Sequence, residues 1–192
     1  HYSNLLQTSQ PICSKISSGR ILDVGTGPGY VPFEIAKRAP GLDIVGIDLS
    51  SGMVDIANKK AKELGLSSQV KFELANVSNL PFPDGYFDFV ISTLSLHHWS
   101  DPAAGFKEIF RVLKNNGQAF IYDLRKDTPK EVNIQARAKY GWFLAFLFLN
   151  IVRLHSSMSL KHAQELLSSL DINFSHKRVQ ANGVILVLQF LK

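Results

Sequence analysis

The sequence predicts an α/β protein: one mostly parallel sheet, helices on both faces, and an antiparallel pair at the C-terminal end. Three observations carry this. Short runs rich in Ile, Val and Phe alternate with stretches whose apolar residues recur every three or four positions, as strands joined by crossover helices should. A glycine-rich turn, Gly25-Thr26-Gly27-Pro28-Gly29, stands at the first strand-to-helix junction. Two final apolar stretches flank Ala181-Asn182-Gly183, and Asn-Gly between strands favours a tight hairpin.

Taken in order, strands are expected at residues 20–24, 43–47, 70–74, 87–92 and 118–123, and helices at 31–38, 53–64 and 103–113. Ser50 or Ser51 can cap the second helix and Gly65 can close it, because a hydroxyl satisfies free N–H groups and glycine tolerates the left-handed backbone of a helix end. Residues 20–124 thus read β-α-β-α-β-β-α-β. A basic segment, 125–139, and an aromatic run, 140–152, follow; then come a helix at 159–170 and strands at 172–178 and 184–190. Seven strands result. No repeat or linker interrupts the chain, so residues 1–192 are expected to form one domain: 20–124 as the ligand-binding half, 125–158 as a helical lid insertion, and 159–192 as a helix with the last strands.

The chain has 192 residues, 45% hydrophobic and 19% charged, enough apolar surface for a sizeable core and too much for a disordered chain. The single cysteine, Cys13, excludes an internal disulfide and a cysteine-rich zinc module, and points to a reducing, cytoplasmic setting. The run 140–152 is too short for a bilayer span, which needs about 20 residues. The start His1-Tyr2-Ser3 lacks Met and an apolar signal core, so something upstream is expected to be missing. Residues 125–192 carry 10 Lys/Arg against 4 Asp/Glu, whereas residues 1–124 carry 11 against 12. The basic excess of the last third suits an anionic substrate, a membrane surface or nucleic acid, or is simply a solvated face.

Glycines at Gly25, Gly27 and Gly29 let the chain bend sharply and let a ligand approach backbone N–H groups without a Cβ in the way. Asp48 then ends the second strand, 19 residues after Gly29, where a carboxylate can accept from both ribose hydroxyls of a nucleoside. A dinucleotide fold favours G-x-G-x-x-G; here the spacing is G-x-G-x-G, and Pro28 interrupts. A dehydrogenase is therefore a distant third reading.

With Asp23 before the loop, this segment resembles motif I of the class I S-adenosylmethionine-dependent methyltransferases. Val45-Gly46-Ile47-Asp48-Leu49-Ser50 with Met53 is similar to their ribose and adenine segment, Leu80-Pro81-Phe82-Pro83-Asp84-Gly85-Tyr86-Phe87-Asp88 to the run before strand four, and Arg111-Val112-Leu113-Lys114 to the entry into strand five. The resemblance covers residues 20–124 and is nearest to the small-molecule branch that includes ubiquinone and sterol methyltransferases. It implies a Rossmann-like, doubly wound seven-stranded fold and S-adenosylmethionine as cofactor, with S-adenosylhomocysteine as product. It also implies that Gly25, Thr26, Gly27 and Gly29 surround the methionine part and that Asp48 holds the ribose. Leu49 and Met53 would pack on adenine, Asn76 and Val77 would meet its edge, and Ser92 would lie near the reacting end. Asp23 would bind the ammonium or brace the loop, and Met53 suits core packing equally well. Two positions depart from the pattern: Asn76 replaces the usual Asp, and Asn115-Asn116-Gly117 replaces Pro-Gly-Gly.

His97 and His98 follow strand four, at the sheet edge where open α/β folds place their ligands. No third ligand lies nearby to make a metal site. His97, or less favourably His98, is a candidate base or substrate-shaping residue, because imidazole titrates near neutrality; loop packing is the plain alternative. Trp142, Phe143, Phe146 and Phe148 spread aromatic surface over more than one helix face. Trp142 and Phe146 would then lid a pocket for an apolar or anionic acceptor, or simply fill the core; peripheral membrane contact is weaker. The reading is a methyltransferase acting on a small molecule. The alternative is a non-catalytic subunit that keeps the cofactor fold, and nucleic acid is disfavoured because no aromatic recognition motif interleaves the basic residues. The oligomeric state and acceptor atom stay open.

Overall fold

The computed structural model describes residues 18–142 and 158–192. β1 (Gly19–Val24) leads through the glycine turn into α1 (Tyr30–Arg38), β2 (Leu42–Asp48), α2 (Ser51–Glu63) and β3 (Val70–Leu74). β4 (Phe87–Thr93), a 3-10 turn (Leu96–His98), α3 (Pro102–Val112) and β5 (Leu113–Leu124) complete the ligand-binding half. α4 (Lys130–Tyr140), α5 (Leu160–Ser169), β6 (His176–Asn182) and β7 (Ile185–Leu191) follow. The seven strands lie in the order β3-β2-β1-β4-β5-β7-β6. β1 to β5 pair in parallel, while β7 runs antiparallel to β5 and to β6.

Parallel strands must be covered on both sides, and the side chains alternate accordingly. Leu22, Val90, Ala119, Ile121 and Phe190 join Phe106, Ile109 and Val112 of α3 and Ala163 and Leu167 of α5 in one core layer. Ile21, Phe89, Ile91, Phe120 and Tyr122 face the other way, onto Phe33 and Ile35 of α1 and Val54, Ala57 and Ala61 of α2. Each buried large side chain contributes about 1.5–3 kcal/mol by leaving water.

The helix ends behave as their residues dictate. Ser50 caps α2, its Oγ accepting from Met53 N at 3.4 Å. At the other end Gly65, with φ 68°, lets its own N–H reach Lys62 O and the Leu66 N–H reach Ala61 O, a paired closure that uses two otherwise orphaned carbonyls. Arg111 near the end of α3 holds the loop before β4: its guanidinium donates to Leu80 O, Phe82 O, Asp84 and both oxygens of Glu108.

Three expectations need correction. Residues 172–175 do not form a strand; Ile172 and Phe174 are buried in the α3-side core, and β6 begins only at His176. Their apolar run reflects packing, which periodicity alone does not separate from pairing. The hairpin turn is also one residue later than expected: Asn182 pairs with Ile185, leaving Gly183 and Val184 as the turn. Gly183 has φ 59°, which suits the first central position of a two-residue hairpin turn. β5 starts earlier than expected, at Leu113, because its pairing with β4 shifts register between Phe87 and Phe89.

Candidate functional site

β1 and β4 are neighbours, and the chain runs from β1 to β2 on one side and from β4 to β5 on the other. Such a point leaves a crevice at the carboxyl ends of the strands. A cleft of about 580 Å³ opens there, lined among others by Gly25, Gly27, Asp48, Leu49, Met53 and Val77, within the size range of small-molecule sites.

The glycine turn is folded over the end of β2. Gly25 N and Thr26 N both donate to Ile47 O at 2.9 Å. Gly27 N donates to Asp48 Oδ2 at 2.8 Å and Ser50 N to Asp48 Oδ1 at 2.9 Å. Each carboxylate oxygen therefore spends one lone pair on the loop and keeps another for a ligand on the cleft wall. The three glycines serve different ends. A Cβ at Gly25 would lie 2.3 Å from Ser95 Cβ, and one at Gly29 would lie 2.6 Å from Phe72, whereas one at Gly27 would meet nothing within 4 Å. Packing requires the outer two, although Gly25 still borders the cleft; of the three, only Gly27 would give an added side chain open space.

Across the crevice, Ser95 ties β4 to β1. Its hydroxyl donates to Val24 O at 3.0 Å, shares a 2.6 Å hydrogen bond with Ser92 Oγ and accepts from Trp99 Nε1 at 3.1 Å. Leu94, before it, has φ 56°, an uncommon conformation for a branched residue and one that clusters at functional sites. Leu94, Ser95, His98 and Trp99 all line the cleft.

His97 stands next to that wall without lining the cleft. Its Nδ1 lies 2.8 Å from Asp123 Oδ1, and its backbone N–H donates to Asp123 Oδ2 at 2.8 Å. Asp123 is buried and also accepts from Leu124 N at 2.7 Å. That carboxylate fixes the imidazole ring and holds the proton on Nδ1, leaving Nε2 as the basic nitrogen, without a partner among the described residues.

Of the residues expected at the cofactor, Gly25, Gly27, Asp48, Leu49, Met53 and Val77 line the cleft, and His98 joins them. Leu49 is 66% and Met53 40% exposed, so Met53 is a wall residue and not core. Four others sit behind or beside the wall. Gly29 starts α1. Thr26 is buried, and its hydroxyl lacks a partner. Ser92 is buried behind Ser95. Asn76 turns back, its Oδ1 accepting from Ser78 N at 2.9 Å, so the edge of the cleft is made by Ala75 and Val77.

Asp23 is 2% exposed and off the cleft wall. Burial pushes its carboxyl up to about 7; the Thr26 hydroxyl beside it works the other way without closing a hydrogen bond, and the Asp48 charge adds to the rise. Asp23 therefore braces the loop from beneath. Trp142 is 63% exposed and lines no described cleft, while Phe146 and most of the expected lid lie outside the described residues. Leu94, Ser95 and Asp123 were given no role by sequence reasoning. A buried acid at the end of an apolar strand was the available signal for Asp123.

A methyltransferase domain family matches residues 22–121. The chain is 38% identical over 113 residues to the ubiquinone/menaquinone biosynthesis C-methyltransferase UbiE of Geotalea uraniireducens, a match covering 58% of this chain and 47% of that protein. It thus spans about half the length of that relative. A putative S-adenosyl-L-methionine-dependent methyltransferase from Methanococcus maripaludis superimposes with a TM-score of 0.73 at 25% identity, over 96% of this chain and 83% of the other. The [4+2]-cyclase SpnF is 32% identical with a TM-score of 0.62, over 66% of this chain and 46% of its own. The matched segment runs from β1 through most of β5 and contains both the glycine turn and Asp48; the chain belongs to the methyltransferase domain family.

Proposed function

We propose that the chain binds S-adenosylmethionine in the cleft at the β1–β4 crossing and moves its methyl group to a small-molecule acceptor. The observation that carries this is Asp48: both its oxygens are anchored by loop N–H groups while the carboxylate faces the cleft. That arrangement presents two fixed acceptors to the vicinal hydroxyls of a ribose. The cleft fits the rest of the molecule as well. Leu49 and Met53 offer an apolar face for adenine, Ala75 and Val77 its edge, and the open side of Gly27 admits the methionine part.

When bound, the cofactor supplies an electrophilic methyl carbon whose bond to sulfur breaks as the acceptor attacks, the electron pair staying on sulfur. The protein's part is to bind, orient and exclude water. An acceptor that arrives with an acidic O–H or C–H must also lose a proton. His97 Nε2 is the group to take it, since Asp123 orients the ring and stabilises the imidazolium formed. The relative named for ubiquinone/menaquinone biosynthesis supports an acceptor of quinone-precursor character, apolar with ring oxygens.

The similarity to a [4+2]-cyclase keeps a second reading in view, in which the cofactor fold serves without methyl transfer. Incubation with methyl-labelled S-adenosylmethionine and a hydroxylated naphthalene decides between them. Labelled product with stoichiometric S-adenosylhomocysteine is expected; binding without turnover over a panel of quinol-like acceptors would favour the second reading.

A further inference from the structure

Among the described residues that line the cleft at the β1–β4 crossing, two are titratable, Asp48 and His98. Asp48 is held by loop N–H groups on both oxygens. His98 is exposed, and its ring makes no hydrogen bond to the described residues. Its neighbour His97 differs on each count, being tied to Asp123 and standing off the cleft. The two ring centroids are 4.0 Å apart, with the planes tilted by 48°. One histidine is thus committed to a buried carboxylate, while the other is free to take up a proton on the wall of the cleft.

We infer that His98 sets how strongly the cleft prefers S-adenosylmethionine over S-adenosylhomocysteine, and that this preference grows as His98 loses its proton. The inference rests on the proposed cofactor site. The two molecules differ by one methyl group and the positive charge it leaves on sulfur. Contacts to the nucleoside and to the amino-acid end are common to both, so they cancel in the ratio of affinities. A charge on the wall does not cancel: protonated His98 repels the sulfonium and leaves the thioether almost untouched, whereas the neutral ring accepts either. The groups around His98 act with a definite sign. Asp48 at the end of β2, Asp123 of β5 behind His97, and Asp101, which caps α3, favour a proton on His98; a proton on His97 opposes it. Asp23, beneath the glycine turn, also responds to a cationic ligand and must be separated from His98. Product inhibition is accordingly strongest in acid and eases as the pH rises.

The test is calorimetry of both nucleosides at about pH 5.5 and about pH 7.5, a span over which imidazole changes charge, at fixed ionic strength. The proteins are Asp23→Asn and the double variant Asp23→Asn/His98→Gln. The first substitution takes the buried carboxyl, pushed up to about 7, out of the titration. The ratio of the two affinities should rise with pH about fivefold more in Asp23→Asn than in the double variant, the size of one charge repulsion across a solvated cleft. At the higher pH the two proteins should give the same ratio within about twofold, because His98 is then as uncharged as glutamine. An equal rise in both proteins, a flat ratio in both, or an equal loss of the two nucleosides at each pH when His98 is replaced, as for a residue that only shapes the wall, would each overturn the inference. Failure of the wild-type chain to bind either nucleoside would instead overturn the proposed function on which it rests.

Discussion

The two banks of the crevice are built differently. On the β1–β2 bank the backbone does the holding: Gly25, Thr26, Gly27 and Ser50 all give their N–H groups to the end of β2. On the β4–β5 bank side chains do it: Ser95 reaches Val24 O and Ser92, and Asp123 reaches His97. A backbone-held bank depends on glycine spacing and one acid, so it shows one surface suited to one ligand. A side-chain-held bank can be rebuilt residue by residue around the same frame. Cofactor recognition falls naturally on the first bank and acceptor chemistry on the second.

The sharpest way to break that division is at His97. His97→Gln should lower kcat about a hundredfold or more toward an acceptor that must lose a proton, while S-adenosylhomocysteine affinity stays within about twofold. Asp123→Asn should lower kcat in the same way by releasing the ring, and raising the pH should not restore it. A matching loss of cofactor affinity in either variant would mean that the β4–β5 bank also holds the cofactor.

A second effect tests the floor of the β1–β2 bank. The Asp23 carboxyl is pushed up to about 7 from its ordinary 3.8 by burial. Between these values the folded protein keeps a proton that the unfolded chain has lost, so this contribution to stability is fully present below about pH 4 and lost as pH rises through about 7. The change is on the order of 4 kcal/mol. Asp23→Asn should therefore raise the melting temperature at pH 8 and hardly change it at pH 4; thermal unfolding at the two pH values checks the sign. Binding of a cationic cofactor nearby would favour ionised Asp23, so its affinity should rise through the same interval.

Smaller changes sharpen the comparison. Ser92→Ala removes the 2.6 Å bond to Ser95 and should cost about 1 kcal/mol of stability, read by urea unfolding, with little effect on cofactor affinity. Asn76→Asp keeps an oxygen for Ser78 N and should change S-adenosylhomocysteine binding least of all, leaving it at least as tight. A large loss there would give Asn76 a contact that its present turn does not show.

The same contrast explains what could be read in advance. The backbone-held bank was legible because its requirements are local: Gly25, Gly27 and Gly29 stand in one turn, and Asp48 ends the next strand. The strands of the ligand-binding half were legible for the same reason, each as an apolar run between turn residues. Asp123 and Ser95 were not, since their partners lie 26 and 71 residues away in sequence and no local pattern records them. The Asx turn from Asn76 to Ser78 was not foreseen either, because the residue type allows such a turn and an adenine contact alike while the backbone sets the turn. Ile172 and Phe174 misled because a buried coil and a buried strand have the same composition.

The division between the banks stands or falls on Asp48. Titration calorimetry of S-adenosylhomocysteine into the wild-type chain and into Asp48→Ala measures it directly. One-to-one binding is expected, weakened by roughly 2–4 kcal/mol in the variant as two hydrogen bonds to a charged group are lost. Equal affinity in both proteins, or binding of NAD in place of S-adenosylhomocysteine, would contradict the account.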